Sequence, residues 1–169
     1  MGNSMKSSFV VAFTAIAHIA PVQAETLLSH GIRFAPGEPS GQARIDSAVA
    51  PAESFREMVG SLEVLRRHPE INVDVAGHAD RSECVQEAAC EALSRRRAEM
   101  IRNWLVAGGI PATRLTSSSW GSSRPIDPAD TADGRSRNRR VELDVQWTMP
   151  GVGSTRRAAP PAAPRPASM

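Results

Sequence analysis

The spacing of apolar residues changes repeatedly along this chain, and the changes limit the folds that it can adopt. Two segments alternate apolar and polar residues, as half-buried strands do. Their apolar positions are Ile71, Val73 and Val75, and then Val141, Leu143, Val145 and Trp147. Two other segments carry apolar residues every three or four positions, which is typical of amphipathic helices. Those positions are Phe55, Met58, Val59, Leu62 and Leu65, and then Leu93, Ala98, Ile101, Trp104 and Leu105.

Proline and glycine residues mark the ends of both predicted helices. Pro51 suits a first helical turn, His68-Pro69 stops the first helix, and Gly108-Gly109 ends the second. Residues 32–35 and 115–120 are two further strand candidates. The order is therefore β-α-β-α-β, a long loop and a last strand. Strands joined through a helix run parallel, so the sequence predicts an α+β fold with a mixed sheet and two main helices on one face.

Opposite charges flank the connection from the second predicted strand to the second predicted helix. The strand runs into Gly77-His78-Ala79-Asp80, and Arg95, Arg96 and Arg97 lie in the first half of the helix. A carboxylate accepts from an ammonium group, and a guanidinium donates a planar fork to a carboxylate, so such a pair can hold a zwitterion. Two ordinary roles stay open: an aspartate that caps a turn, and arginines on a solvated helix face.

Two cysteines, Cys84 and Cys90, lie between these charges. In an exported protein such a pair favours a disulfide. On one continuous helix their α-carbons would be about 9 Å apart along the axis, beyond the roughly 7 Å that a bridge spans. A bridged segment therefore cannot be one straight helix. Two buried free thiols and a redox pair are the alternatives, although the spacing is not that of a Cys-x-x-Cys motif.

The first residues have the features of a cleavable signal peptide. Lys6 precedes the apolar run 9–19, and the small residues Val22 and Ala24 suit cleavage after residue 24. An uncleaved anchor helix is the alternative, but the run is shorter than the roughly 20 residues that span a bilayer. We therefore expect residues 1–24 to be removed, with no transmembrane span after cleavage.

Composition assigns no partner to the remaining chain. Removing 24 of the 169 residues leaves 145, enough for one domain. These contain 19 arginines and 18 acidic residues, a balance that argues against general nucleic-acid binding. Residues 149–169 are rich in proline and alanine and carry three arginines without an acidic residue, which predicts a disordered tail. Contact with an anionic surface and a solvated tail without a partner both fit this composition.

Four motifs together resemble the OmpA-like C-terminal domain, a family that binds peptidoglycan. In order, they are Val75-Ala76-Gly77-His78-Ala79-Asp80, Leu93-Ser94-Arg95-Arg96-Arg97-Ala98, Trp120-Gly121 with Pro125, and Gly134-Arg135-Ser136-Arg137-Asn138-Arg139-Arg140-Val141-Glu142. The resemblance covers residues 30–147 and agrees with the β-α-β-α-β-β order predicted from apolar spacing. It implies an OmpA-like sandwich over residues 25–148.

The resemblance implies a site for diaminopimelate, a residue of the peptidoglycan stem peptide. In the family, the Asp of G-H-T-D takes the amino group and the Arg of L-S-x-x-R-A takes the carboxylate. The matching residues here are Asp80 and Arg97. Asn138 and one of Arg139 and Arg140 are implied beside them, and we assign Arg140; a role in bracing the last loop is the alternative. The resemblance implies no metal and no cofactor.

Three positions depart from the family pattern. Ala79 stands where threonine is common, Glu83 where a glycine turn is expected, and Cys90 where an asparagine is usual. The separation between Asp80 and Arg97 is also longer than the pattern has. The loop is thus remodelled around the two cysteines, and loss of its ligand contacts is a second possible outcome.

These features predict a peptidoglycan-binding module in the periplasm, associated with the cell wall and the outer membrane, that anchors an envelope component. A periplasmic protein-interaction module that keeps the fold but has lost the wall ligand is the alternative. Catalysis is not predicted. Metal-dependent hydrolysis would rest on His78 and Asp80 alone, since the other histidines beyond residue 24, His30 and His68, supply no second ligand pair nearby.

Overall fold

The structure, a computed structural model, describes Leu28 and residues 31–146. The predicted signal peptide and tail lie outside these residues. The strands are β1 (Ile32–Arg33), β2 (Asn72–Gly77), β3 (Leu115–Ser119) and β4 (Arg140–Gln146). The helices are α1 (Ile45–Ala48), α2 (Ala52–Arg67), α3 (Glu87–Ala107) and α4 (Ala132–Asn138), and single 3-10 turns cover Arg81–Glu83 and Ala112–Arg114. No helix in this part of the chain is long and apolar enough to cross a bilayer.

The strands form one mixed sheet in the order β1-β4-β2-β3. β2 and β3, which are joined through α3, run parallel, whereas β4 is antiparallel to both β1 and β2. β4 therefore lies inside the sheet although it follows the other three strands along the chain. This topology confirms the predicted mixed sheet and the parallel pairing across the second main helix.

One face of the sheet packs against both long helices. Its buried cluster contains Val73, Val75, Val141 and Leu143 from the strands and Met58, Leu62, Leu65, Ala98, Ile101 and Leu105 from the helices. The sheet and α3 are in close contact at Gly77, where a β-carbon would lie 2.0 Å from the carbonyl oxygen of Ser94. Both main helices thus cover the same face, as predicted.

The opposite face of the sheet is polar. Asp74 of β2 accepts hydrogen bonds from the hydroxyl groups of Thr116 and Ser118 on β3, at 2.7 and 2.5 Å. Because side chains alternate along a strand, Arg140 and Glu142 of β4 lie on this polar face, whereas Val141 between them is buried in the core.

Helix α3 begins earlier than apolar spacing indicates. Its first turn, from Glu87, carries exposed alanines rather than large apolar residues, so the periodicity does not reveal it. Cys90 lies in this first turn, whereas Cys84 precedes the helix in an extended conformation. The two cysteines form a disulfide with their α-carbons 5.3 Å apart. The predicted bridge is therefore present, and it does not fall within one continuous helix.

Two helices, α1 and α4, were not predicted from the sequence. α4 occupies part of the predicted long loop, and polar contacts rather than an apolar stripe stabilise it. The Thr131 hydroxyl accepts from the backbone N–H of Gly134 at 3.0 Å and caps its start. Arg137 pairs with Asp133 one turn away. The helix ends at Asn138, and one residue, Arg139, separates it from β4.

Candidate functional site

Asp80 lies just beyond the end of β2 and caps the 3-10 turn that follows. Its Oδ1 accepts from the backbone N–H and the hydroxyl of Ser82, at 2.9 and 2.5 Å. Its Oδ2 accepts from Nδ2 of Asn138 at 3.0 Å. Burial acts to raise the pKa of Asp80, but the hydrogen bonds from Ser82 and Asn138 outweigh it, so the pKa lies below its ordinary value. The carboxylate is therefore ionised at neutral pH.

Arg97 is fully buried in α3. Its Nε donates to the carbonyl of Glu38 at 2.8 Å, and its Nη1 donates to the carbonyl of His78 at 3.0 Å. The guanidinium carbon lies 5.3 Å from the centroid of the Phe34 ring. A guanidinium so far from water needs a paired anion, because an uncompensated buried charge is expensive.

Glu83 supplies that anion. Nη2 of Arg97 donates to Oε1 at 2.7 Å and Nη1 donates to Oε2 at 2.9 Å, so the pair is bidentate. The backbone N–H groups of Gly37 and Asp80 donate to the same carboxylate at 2.7 and 2.9 Å. Four hydrogen bonds therefore surround a side chain that is only 3% exposed.

Sequence reasoning assigned no contact to Glu83, although a local signal was present. An acceptor side chain followed three residues later by glutamate is the signature of a capping box. The structure forms both halves of this box between Asp80 and Glu83. The glutamate that departs from the family pattern thus caps the turn and neutralises Arg97.

Asn138 joins α4 and the preceding loop to Asp80. Its Nδ2 donates to Asp80, and its Oδ1 accepts from the backbone N–H groups of Ile126 and Asp127 at 3.0 and 3.1 Å. The residue is 6% exposed. The structure therefore brings together three of the four residues assigned to the site from sequence: Asp80, Arg97 and Asn138.

The fourth assigned residue, Arg140, lies elsewhere. Its Nε donates to Oε1 of Glu142 at 2.6 Å on the polar face of the sheet. Arg139 is the arginine near Asp80: burial lowers its pKa, and the neighbouring carboxylates of Glu83 and Asp80 oppose that shift. Strand alternation could have indicated this, because residue 139 shares a face with the core residue Val141.

The ring of His78 lies near the Glu142 carboxylate. Neither of its ring nitrogens has a hydrogen-bond partner among the described residues, and its Nε2 is 3.8 Å from Oε2 of Glu142, too far for a hydrogen bond. Burial, and then the charges of Arg140 and Arg124, lower its pKa to about 3. Within residues 31–146, no three His, Cys, Asp or Glu side chains form a group that could hold a metal ion.

The lowered pKa of His78 should make the domain sensitive to mild acid. The unfolded chain takes up this proton near pH 6.5 but the folded chain does not, so stability is greatest above pH 6.5 and falls as the pH decreases towards 3. Between pH 6.5 and pH 5 we expect a loss of about 2 kcal/mol. Urea unfolding across this range should show that loss in the wild type and not in His78→Phe. The wild-type loss in His78→Phe would contradict the assignment.

The residues around Asp80 form a charged cluster at the carboxyl end of β2. The cluster, called the Asp80 cluster below, consists of Asp80, Glu83, Arg97, Asn138 and Arg139. Two carboxylates and two guanidinium groups bring it close to neutrality, and its chemistry is ion pairing and hydrogen bonding. The mixed α+β fold, with Asp80 after the second strand and Arg97 in the helix that follows, matches what the resemblance to OmpA-like domains implies.

The chain belongs to the OmpA family. The model of that family matches residues 41–139, more than half of the 169-residue chain. This match confirms the resemblance found in the four sequence motifs.

Curated relatives agree with this membership. Outer membrane porin F of Pseudomonas fluorescens is 35% identical over 101 residues, which cover 60% of this chain and 30% of the porin. The peptidoglycan-associated lipoprotein of Brucella melitensis is 30% identical over 97 residues, which cover 57% of this chain and 56% of the lipoprotein. The chain therefore matches 30% of the length of the porin and 56% of the length of the lipoprotein.

A solved structure shares the fold. The crystal structure of the peptidoglycan-associated lipoprotein from Burkholderia pseudomallei superposes with a TM-score of 0.58 at 19% sequence identity. The match covers 70% of this chain and 91% of that structure. The predicted α+β architecture is thereby confirmed.

Proposed function

We propose that this chain binds the stem peptide of peptidoglycan noncovalently and so attaches an envelope component to the cell wall. One observation carries the proposal: Asp80 and Arg97, which come from separate motifs, both contact the same carboxylate oxygen. The backbone N–H of Asp80 and Nη1 of Arg97 both donate to Oε2 of Glu83 at 2.9 Å. Relatives named peptidoglycan-associated lipoproteins support the same function.

Diaminopimelate suits this cluster because it carries an ammonium group and a carboxylate on one carbon. Oδ2 of Asp80 accepts from one described side chain, Asn138, and a carboxylate oxygen can accept a further hydrogen bond from an ammonium group. The guanidinium of Arg97 has the fork that suits the carboxylate, and the ligand has to displace Glu83 to reach it. Each charge-assisted hydrogen bond contributes about 1.5 to 3 kcal/mol. Such a site binds without catalysis and needs no cofactor.

The proposed function requires a location where the wall is accessible. The predicted signal peptide of residues 1–24 would deliver the domain to the periplasm. There the domain would be associated with the cell wall and, through further envelope proteins, with the outer membrane.

Retention on purified sacculi tests the proposed site. Asp80→Asn keeps the shape of the side chain but removes the charge that accepts an ammonium, so we expect the dissociation constant to rise about tenfold or more. Asp46→Asn changes an exposed aspartate paired with Arg44 and serves as the matched control. Unchanged circular dichroism would show that both variants are folded. Equal retention of Asp80→Asn and wild type would refute the site.

One observation favours a second function, a periplasmic protein-interaction module that no longer binds the wall. The fork of Arg97 is already filled by Glu83, and the guanidinium is fully buried. This second function predicts no retention of the folded wild type on sacculi, together with a defined protein partner in the envelope.

A further inference from the structure

The donors around the Glu83 carboxylate come from three distant parts of the chain. Gly37 lies in the loop after β1, Asp80 follows β2, and Arg97 lies in α3. Together they give four hydrogen bonds of 2.7 to 2.9 Å. Two neutral amides and a bidentate guanidinium are a complete set of donors for one carboxylate.

Contacts that do not involve Glu83 hold two of the three donor residues, Arg97 and Asp80, in place. Arg97 is fixed by the carbonyls of Glu38 and His78 and by the ring of Phe34. Asp80 is fixed through its own side chain by Ser82 and Asn138. The arrangement therefore does not depend on the Glu83 side chain alone, and its removal would leave preorganised donors around an empty space.

We propose that Glu83 is a built-in occupant of a carboxylate subsite within the Asp80 cluster. Its side chain fills a position that accepts an external carboxylate once Glu83 is removed or displaced. If the proposed function holds, that external group is the carboxylate of diaminopimelate. Glu83 is then the residue that determines wall affinity, because the ligand has to compete with a carboxylate tethered at high effective concentration.

Acetate is the simplest probe of this subsite. In Glu83→Ala, the buried Arg97 loses its anion. Acetate should replace that anion by binding to the folded state. We expect the thermal midpoint of Glu83→Ala to rise by about 4 °C or more as acetate approaches saturation. Wild type should respond no more to sodium acetate than to sodium chloride. Glu91→Ala, which removes an exposed glutamate paired with Arg95, is the matched control and should behave like wild type.

A midpoint of Glu83→Ala that responds equally to acetate and chloride would overturn the proposal. Should the variant be unfolded without acetate, the measurement becomes refolding. Recovery of the native circular dichroism with acetate, but not with chloride, supports the subsite. Failure to recover at any acetate concentration rejects it.

The acetate experiment and the sacculus experiment test different claims, and either can give a negative result without the other. Asp80-dependent retention of wild type on sacculi, with no effect of acetate on Glu83→Ala, would keep the wall function and reject the subsite. An acetate response in Glu83→Ala, with no retention of any variant on sacculi, would keep the subsite and reject the wall function.

Discussion

Replacing Arg97 by methionine should lower the free energy of unfolding by about 3 to 5 kcal/mol. Methionine fills much of the same volume, so the loss arises from electrostatics and hydrogen bonding rather than from a cavity. The carboxylate of Glu83, 3% exposed, would lose its bidentate partner. The carbonyl of Glu38 and the buried carbonyl of His78 would each lose a donor. Urea unfolding at neutral pH measures the loss.

Two comparisons separate this cause from a general effect of removing an arginine. Arg95→Met, in the same helix, removes an exposed arginine paired with Glu91 and should change stability by less than about 0.5 kcal/mol. The double variant Glu83→Gln/Arg97→Met should be more stable than Arg97→Met alone, because it no longer buries a lone carboxylate. A double variant less stable than the single one would show that the ion pair is not the source of the loss.

Replacing Gly77 by alanine should cost about 3 kcal/mol or more. The added β-carbon would lie 2.0 Å from the carbonyl oxygen and 2.8 Å from the carbonyl carbon of Ser94. These are backbone atoms of α3, so no side-chain rotation can relieve the clash. β2 and α3 would have to move apart, and the Asp80 cluster would lose its geometry with them. Thermal and urea unfolding should both show the loss.

Gly60→Ala is the matched control for this substitution. Gly60 lies in α2, where an added β-carbon meets nothing within 4 Å. Alanine has the higher helix propensity, so this variant should be more stable than wild type by about 0.5 to 1 kcal/mol. Similar destabilisation of both variants would mean that the contact between β2 and α3 is not the cause.

Strands β2 and β4 and the two long helices were predictable because they bury apolar residues at regular spacing. The burial of Arg97 could also have been predicted from the helical spacing. It lies four residues after Leu93 and four before Ile101, so the helical period puts it on the buried face, unlike Arg95 and Arg96. The sequence motif selected the same arginine for a different reason, its match to a ligand-binding position.

The partner of Arg97 could not be predicted in the same way. Glu83 reaches the guanidinium only after the cysteine-bridged loop has folded back on α3, and Gly37 comes from a loop far away in the chain. Apolar spacing carries no information on such contacts. α4 escaped prediction for a related reason, since its stabilising contacts are polar and local.

The position of β4 has a consequence for the order in which the domain can complete its fold. β1 and β2 do not pair with each other, and each pairs with β4. Val141 of β4 lies opposite Ile32 of β1 on one side and opposite Gly77 of β2 on the other. A chain synthesised from its N-terminus cannot close this sheet until residues 140–146 have been made. The edges of β1 and β2 that pair with β4 therefore stay open until synthesis of the domain is nearly complete.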